Sequence, residues 1–384
     1  MIDMIGRGKN KTYDTIGKVY KVDNPQYELS PYQRLDYPLR PQRTVVQFNS
    51  TYMELVDMWD CIRGEIVWSQ IVILCPVSFG LGTFSYMIFL EISRNSFGFF
   101  VVFLCIMTAI VFGLLYVLLR RLSRELFTYT YFPVRFNRKN GKVYVMGVDK
   151  QVETYDWKDL KIHMQTDANA PWDVRCCDVD DNGIIQRTFS LPFRYDRVYK
   201  VLYGHFEFVN RYMSAKDDSN LAEVASSIRY IFPVHQRKEI FKESVQRSLL
   251  EYHNDFEDTE YPEKTLALDW TFMINIPFWF LKLLGRRLSV LTCTTPHFPF
   301  EVDVECDIDP NDTFDLNKNP PVPELIKPAT VLEKVFYVIM MVVATLASLS
   351  ILALIIDIIG AMRPHGDYPS FFKLLWDWLL FRWV

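Results

Sequence analysis

The sequence has no surplus of positive charge and no clustered metal ligands. Its 42 lysine and arginine residues stand against 46 aspartate and glutamate residues, which leaves a formal net charge of −4. A protein devoted to nucleic acid needs a dominant basic surface, so this balance argues against a nucleic-acid partner. The 7 cysteines are odd in number, and neither they nor the 6 histidines follow a zinc-ligand spacing. We therefore expect no disulfide framework, no metal and no other cofactor.

Sequence motifs of the common catalytic classes are also missing. The 15 glycines form no phosphate-cradling loop, and the chain contains no nucleophile elbow and no zincin helix. Residues 178–183 begin like a calcium loop, but Phe189 occupies the position of the glutamate that would chelate the ion. The same residues fit a hairpin turn. The sequence thus predicts a protein that is not an enzyme.

Three long uncharged apolar blocks are present, at residues 66–90, 95–119 and 335–356. Each is long enough to cross a hydrocarbon core of about 30 Å as a helix. Only a short polar link separates the first two, so residues 66–119 predict an antiparallel transmembrane hairpin. The third block predicts one more transmembrane helix.

Arginines give the hairpin a predicted orientation. Arg120, Arg121 and Arg124 directly follow its second block, and positive residues near membrane spans stay in the cytoplasm. We therefore expect the N-terminal arm, residues 1–65, and most of the chain after the hairpin to be cytoplasmic. The third span would place the tail, residues 364–384, on the far side, although Arg363, Lys373 and Arg382 leave that assignment open.

The first cytoplasmic region, residues 125–215, has the pattern of an antiparallel sheet. Alternating runs at 131–136 and 142–146 flank Asn140-Gly141, which predicts a hairpin with a two-residue turn and positive φ at Gly141. Further strands are predicted at 156–165 and, as a hairpin, at 173–192.

An amphipathic helix follows these strands over residues 198–212, where apolar residues recur at spacings of three and four. Antiparallel strands closed by one C-terminal helix are typical of a pleckstrin-homology-like (PH-like) sheet. The predicted fold class is therefore membrane-spanning α-helices plus a cytoplasmic α+β domain, followed by a helical and acidic region at 221–330.

The last part of the acidic region contains a regular pattern that we call the acidic stripe. Its members alternate with apolar residues: Glu301, Asp303, Glu305, Asp307 and Asp309. This period predicts a strand with one acidic face and one apolar face. We interpret the stripe as part of a docking site for a basic protein partner, and the alternative is a solvated edge that charge protects from aggregation.

Two aromatic segments are predicted to lie on the membrane surface. Residues 268–288 are too short in apolar length to span, and residues 364–384 carry three tryptophans among apolar residues. The expected lipid contacts are Trp270, Trp279, Arg286, Arg287, Trp376, Trp378 and Trp383. The alternative for the first segment is an aromatic helix in the core of the protein.

Several motifs follow one another along the first half of the chain: Gly6-Arg-Gly8 with Thr12-Tyr13, Asn49-Ser-Thr-Tyr52, the predicted membrane hairpin, and Pro133-Val-Arg-Phe-Asn-Arg138 followed by Lys142-Val-Tyr144. Their order resembles an uncharacterised family of bacterial inner-membrane proteins associated with type VI secretion loci. The resemblance covers roughly residues 1–215 and carries over no catalytic residue.

The resemblance implies a multi-pass inner-membrane protein with its bulk in the cytoplasm. It also implies an immunity or accessory role, in which the cytoplasmic body binds a toxic effector or a secretion component. Two other functions stay open: a toxic effector that inserts into a target membrane, and a lipid- or signal-sensing membrane regulator. The oligomeric state is not predicted.

Overall fold

The described part of the chain forms nine named strands and eight α-helices in two compact units. The computed structural model describes residues 16–22, 24–57, 60, 62–94, 98–165, 173–192, 199–232, 234–235, 237–249, 270–318, 320–321, 330–361, 370 and 373. Unit 1 comprises Met1–Ile62, Tyr129–Glu239 and Thr294–Lys327. Unit 2 comprises Arg63–Thr128, Ile240–Cys293 and Pro328–Val384.

A five-stranded antiparallel sheet is the larger of the two sheets in the described part of unit 1. Its strands follow the chain in order: β2 (Val45–Phe48), β3 (Tyr52–Leu55), β4 (Val134–Asn137), β5 (Lys142–Met146) and β6 (Val152–Asp156). The first strand of the chain, β1 (Glu28–Leu29), belongs to the other sheet of the unit. Every residue of β2, β3 and β4 is buried, so both faces of these strands are covered.

The pairing of β3 with β4 joins two parts of the chain that lie far apart in sequence. Tyr52 is opposite Asn137, and Leu55 is opposite Val134. The chain leaves unit 1 after Ile62 and returns to it at Tyr129. The N-terminal arm predicted as a separate piece, residues 1–65, therefore supplies strands to the sheet, because partners for its edges come from later in the chain.

The connection between β4 and β5 confirms one half of the hairpin prediction. Gly141 has φ +72°, as expected. Four residues, however, separate the paired Asn137 and Lys142, so the two-residue turn is wrong. The side-chain oxygen of Asn137 accepts hydrogen bonds from the main-chain N–H of Lys139 at 3.0 Å and of Asn140 at 3.2 Å. This side chain stabilises the longer turn.

A corner at Trp157 separates the two sheets. The prediction of one strand over 156–165 is wrong, because β6 ends at Asp156 and a short 3-10 turn, Trp157–Asp159, intervenes before β7 (Lys161–Gln165). Trp157 is fully buried and its ring lies 5.8 Å from the ring of Phe136. The second sheet has the order β1, β7, β8 (Asp173–Val179), β9 (Ile185–Ser190), and β8 and β9 form the predicted hairpin.

Helix α3 (Tyr199–Ser214) follows this sheet and matches the predicted amphipathic helix. A segment of the N-terminal region is hydrogen-bonded along it. The amide of Asn210 donates to the carbonyl of Gln33 and accepts from the N–H of Tyr32, both at 2.7 Å. The N–H of Leu35 donates to the Glu207 carboxylate at 2.9 Å. Helix α4 (Asp218–Ser227) completes this part of unit 1.

Unit 2 is helical in its described residues. It contains α1 (Glu65–Ser93), α2 (Phe99–Leu122), α5 (Phe241–Leu249), α6 (Trp270–Thr292) and α8 (Val331–Ala361). Three stretches are long and apolar enough to cross a membrane: Glu65–Ser93, Phe99–Leu122 and Val331–Ile351. They correspond to the three predicted apolar blocks. Helices α1 and α2 pack against each other, and α6 packs against α1, α5 and α8.

Candidate functional site

The acidic stripe lies in unit 1, where it begins as a helix. Residues 300–305 form α7 (Phe300–Glu305), so the predicted strand is wrong. Pro299 precedes the helix, and Glu301 and Asp303 lie in its first turn, where negative charge is favourable. The alternating apolar residues also repeat every four positions, and it is the four-residue spacing that brings Val302 and Cys306 to the buried side.

One carboxylate of the stripe is bound to a buried arginine of the sheet. The Nη1 of Arg135 donates to Asp303 at 2.7 Å. The same guanidinium donates to Glu54 through Nε at 3.2 Å and Nη2 at 3.0 Å. The side chains of Arg135 and Glu54 are only 4% and 2% exposed, whereas that of Asp303 is 51% exposed. Asp303 is thus the outer carboxylate of a three-membered charge cluster.

Aromatic rings enclose the Arg135 guanidinium. It lies 4.5 Å from the ring centre of Tyr52 on the sheet and 4.1 Å from that of Phe298, just before α7. Such cation–π contacts are strongest where water is excluded. The buried residues Tyr52, Phe132, Tyr144, Met146, Phe298, Val302 and Cys306 form one hydrophobic cluster here. The cluster and the arginine together hold α7 on the sheet.

The ion pair controls the protonation of Glu54. Burial raises the pKa of this carboxyl group, but Arg135 and His235 lower it by more than burial raises it. The resulting pKa is about 2. Glu54 is therefore charged at neutral pH. Burial would lower the pKa of Arg135, but the adjacent carboxylate of Glu54 raises it above its usual value. The pair is thus fully ionised inside unit 1, as a buried pair with good geometry requires.

Glu305, a second member of the stripe, binds the β4–β5 hairpin. Its Oε2 accepts hydrogen bonds from Lys142 Nζ at 2.7 Å, Asn140 Nδ2 at 2.9 Å and the Tyr144 hydroxyl at 2.5 Å. The hydrogen bond from Lys142 is the main reason that the pKa of Glu305 is lowered. Asn137 Nδ2 also donates to the main-chain carbonyl of Glu305 at 2.7 Å.

The chain after α7 continues along the edge of the sheet. Asp312 accepts a hydrogen bond from the N–H of Ser50 at 2.7 Å. The side chain of Asn317 accepts from the N–H of Phe48 at 3.2 Å and donates to the carbonyl of Val46 at 2.9 Å. It thereby takes the place of a neighbouring strand on β2. We call residues 298–318 the acidic strap.

The outer side of the acidic strap stays available to solvent. Glu301, Asp307 and Asp309 are exposed. Two large apolar residues of α7 are exposed as well, Phe300 at 78% and Val304 at 58%. The five stripe residues therefore divide into two groups. Asp303 and Glu305 are bound within unit 1, and the other three face outward.

Sequence reasoning missed the residues that hold the strap, Arg135 and Glu54. Each is a charged residue inside an apolar strand, and the two are directly opposite each other in the pairing of β3 and β4. A single charged residue in the middle of an apolar strand indicates a buried ion pair, because a buried charge needs a partner of opposite charge. The partner could not be identified from the sequence, because the two long helices α1 and α2 separate the two strands.

The residues predicted at a membrane surface have different surroundings in unit 2. Trp279 is 8% exposed and Arg286 is fully buried. Arg287 Nη1 donates to Ser244 at 3.0 Å, and its guanidinium lies over the Phe241 ring. The headgroup position predicted for Arg286 is thus wrong. The side chain of Trp270 lies outside the described residues, as do Trp376, Trp378 and Trp383.

A tight backbone crossing explains why this part of α6 is buried. Gly64, which has φ +96° at the start of α1, lies against the backbone of Lys282 and Arg286, and a Cβ on Gly285 would collide with the carbonyl of Gly64. Only glycine permits so close an approach. Gly285 therefore lies inside α6, which continues to Thr292, beyond the predicted end of the segment at residue 288.

A second buried carboxylate lies beside this crossing. Glu125 accepts hydrogen bonds from the N–H of Gly64 and, at 3.1 Å, from the N–H of Val67. It caps the first turn of α1, where N–H groups lack partners. Ser289 of α6 accepts a hydrogen bond from Arg63 at 2.7 Å and donates to the main-chain carbonyl of Glu125 at 3.0 Å.

No metal site is assembled within the described ranges. Among those residues, no three histidine, cysteine, aspartate or glutamate side chains lie close enough together to hold an ion. Asp180, the third residue of the calcium-like loop, accepts hydrogen bonds from the N–H groups of Asn182 and Ile184. It serves the β8–β9 turn. That the protein is not an enzyme and needs no cofactor remains a prediction.

Comparison with known proteins identifies a family. A family model matches residues 109–310, which is more than half of the chain. The chain belongs to DUF6708. This is a family of unknown function, so membership assigns no activity. The DUF6708 match begins within α2, contains β4 to β9 and reaches just beyond the acidic stripe. Neither a curated protein nor a solved structure matches the chain.

Proposed function

We propose that the protein is a non-catalytic inner-membrane protein of a bacterial type VI secretion locus. In this role its cytoplasmic body binds a toxic effector or a secretion component, and it acts as an immunity or accessory protein. The observation that carries the binding role is the acidic strap. Asp303 and Glu305 attach the strap to the sheet of unit 1, and Glu301, Asp307 and Asp309 remain exposed for a partner.

The sheet of unit 1 supports the proposed membrane topology. Because β3 and β4 are hydrogen-bonded, residues 52–55 and 134–137 must lie on the same side of a membrane. A membrane hairpin, in which the first of the two apolar helices crosses and the second returns, meets this requirement. The contact between Arg135 and Asp303 puts the acidic strap on that side too. Arg120, Arg121 and Arg124 favour the cytoplasm.

The order of elements supports a PH-like fold for the body. Strands β3 to β6 form one antiparallel series, β7 to β9 form a second, and α3 follows them. In this proposal the membrane hairpin is an insertion between the first two strands of the fold. The fold assignment rests on element order alone. It carries no function with it, because one fold serves many functions.

The immunity role rests on the family resemblance of residues 1–215 and on the strap. A stoichiometric inhibitor needs a fixed complementary surface and no catalytic group. An acidic surface also accelerates encounter with a basic partner. The type VI toxin would then be held at the membrane by a protein that the producing cell already contains.

Growth measurements test this proposal. The full chain is expressed alone in a bacterium, and then together with the toxin encoded beside its gene. Normal growth in the first case and rescue from the toxin in the second are expected. Growth arrest by the chain alone would instead identify a membrane-inserting toxic effector. Harmless expression without rescue or capture of any co-encoded protein would favour a lipid- or signal-sensing regulator.

A matched pair of variants tests the role of the strap. Glu301→Gln with Asp307→Asn removes exposed charges, whereas Asp303→Asn weakens an internal contact. The exposed pair should slow association with the partner and reduce its dependence on salt. The control Asp178→Asn changes an acid of the β8–β9 hairpin, and association should be unchanged. Equal association by all variants would show that the stripe is only a solubilising surface.

A further inference from the structure

We propose that Phe300 and Val304 of α7 form the anchor for a basic, amphipathic helical segment of a partner protein, with Glu301 and Asp307 as its charged rim. The inference rests on the proposed binding function and names the chemistry of the partner. Phe300 and Val304 are four residues apart and therefore lie on one face of α7. They are 78% and 58% exposed.

The opposite face of α7 is firmly attached, which makes this anchor rigid. Val302 and Cys306 are buried in the hydrophobic cluster. Asp303 is bound to Arg135, and Glu305 is bound to Lys142 and Tyr144. A helix held in this way loses little conformational freedom when a partner covers its outer face. Exposed apolar side chains on a fixed helix are suited to become the central contacts of an interface.

Charge selects the kind of partner. From Phe300 to Asn317 the chain contains no lysine, arginine or histidine; Glu301 lies between the two apolar residues in the sequence, and Asp307 follows them. A basic segment would neutralise these acids while its apolar face covers Phe300 and Val304. An anionic lipid surface would be repelled. A second copy in a two-fold dimer would place the same acids against each other.

A peptide titration tests the chemistry of the partner. The full chain is held in nanodiscs of zwitterionic lipid, with empty nanodiscs as the blank. The probes are a labelled amphipathic helical peptide of leucine and lysine and its analogue with glutamate in place of lysine. The variants are Phe300→Ser with Val304→Ser, and the control Val148→Ser, whose side chain is also exposed at 52% but lies outside α7.

The lysine peptide should bind the unmodified chain and the Val148→Ser control more weakly as salt rises. The double variant should bind it about tenfold more weakly or worse. The glutamate peptide should not bind. Absence of binding by the lysine peptide, or equal affinity for the double variant, would overturn the inference. The double variant should keep the melting temperature of the parent, because both changed side chains are exposed.

Capture of the co-encoded toxin separates this inference from the proposed function. If the unmodified chain captures the toxin and the double variant does not, both stand. Equal capture by the two would refute the α7 anchor and leave the proposed function intact. If neither captures it, the proposed function fails, and the anchor then depends on the peptide result.

Discussion

Each of the two units contains a buried glutamate near arginine, and the two differ in what binds the carboxylate. In unit 1, Glu54 receives two hydrogen bonds from the guanidinium of Arg135. Arg135 and His235 overcome the effect of burial, and the pKa of Glu54 is about 2. In unit 2, burial raises the pKa of Glu125, and Arg63 and the main-chain N–H groups offset only part of this effect. Direct pairing in a fixed geometry thus decides whether a buried carboxylate is stabilised in its charged form.

The surfaces of the units differ as well. Apolar side chains of unit 2 are widely exposed along its candidate spans, such as Phe99 at 88%, Phe112 at 63% and Phe89 at 65%. Such exposure is unfavourable in water and ordinary in a lipid bilayer. Unit 1 instead covers its sheet with the acidic strap. In unit 1 the described charges attach the strap to the sheet, and in unit 2 Glu125 caps the start of α1.

Removal of Arg135 should have the largest effect on stability. Arg135→Met leaves Glu54 charged and buried, and we expect a loss of about 3–5 kcal/mol in the free energy of unfolding. The control is Arg187→Met, which breaks the ion pair between Arg187 and Asp178, whose side chains are 44% and 36% exposed. This change should lower the free energy of unfolding by about 1 kcal/mol or less. Thermal unfolding in detergent compares the two. Similar losses would mean that the cluster around Arg135 does not hold unit 1 together.

Crowding the backbone crossing in unit 2 should have the next largest effect. Gly285→Ala forces apart the start of α1 and the middle of α6, with a cost of about 1–3 kcal/mol. Gly113→Ala is the matched control, because a Cβ there has no neighbour within 4 Å and alanine favours the helix by up to about 1 kcal/mol. Equal thermal stability of the two variants would contradict the described contact.

Acidification should affect the two units in opposite directions. Because the folded pKa of Glu125 is raised, unit 2 should become more stable as pH falls from neutral toward the unfolded value of about 4.3. Because the folded pKa of Glu54 is lowered to about 2, unit 1 should lose stability only below that unfolded value. Hydrogen exchange of residues 63–67 and 300–306, corrected for intrinsic rates, measures both. Parallel changes would contradict the assigned protonation states.

The exposed acids should contribute least to stability. Glu301→Gln with Asp307→Asn removes side chains that face solvent, so the free energy of unfolding should change by no more than about 0.5 kcal/mol. Glu305→Gln should loosen the contact with Lys142 and Tyr144, and exchange of the α7 amides should rise. A larger loss from the exposed pair than from Glu305→Gln would reverse the division of the stripe.

Local patterns in the sequence predicted the elements whose structure depends on their own residues. The three apolar helices, the β4–β5 and β8–β9 hairpins and α3 have periods that only one kind of element fits. The prediction of a strand for the acidic stripe was wrong, because apolar residues at every second position also recur at a spacing of four, which fits a helix. Val302 and Cys306 fit either a strand or a helix, and the contact of Asp303 with distant Arg135 selects the helix.

The break at Trp157 and the course of α6 depended on contacts that the sequence does not display. Trp157 turns the chain because it is buried between Phe136 and Phe206. Gly285 lies inside α6 because the backbone at Gly64 crosses it. Trp157 fits a strand by its own preference but ends one, and glycine disfavours a helix but Gly285 lies inside one. In both places a contact with a distant part of the chain outweighs the local preference.

The proposal that α1 and α2 cross the membrane as a hairpin between β3 and β4 can be tested by topology reporters. Alkaline phosphatase and a fluorescent protein are fused in turn after Arg94, Lys150 and Asp312 in a bacterial host. If the sheet pairs across the hairpin, the phosphatase should be active only after Arg94, and the fluorescent protein should be bright after Lys150 and Asp312. Phosphatase activity after both Arg94 and Lys150 would mean that only one of the two helices crosses the membrane, which the hydrogen bonding of β3 with β4 forbids.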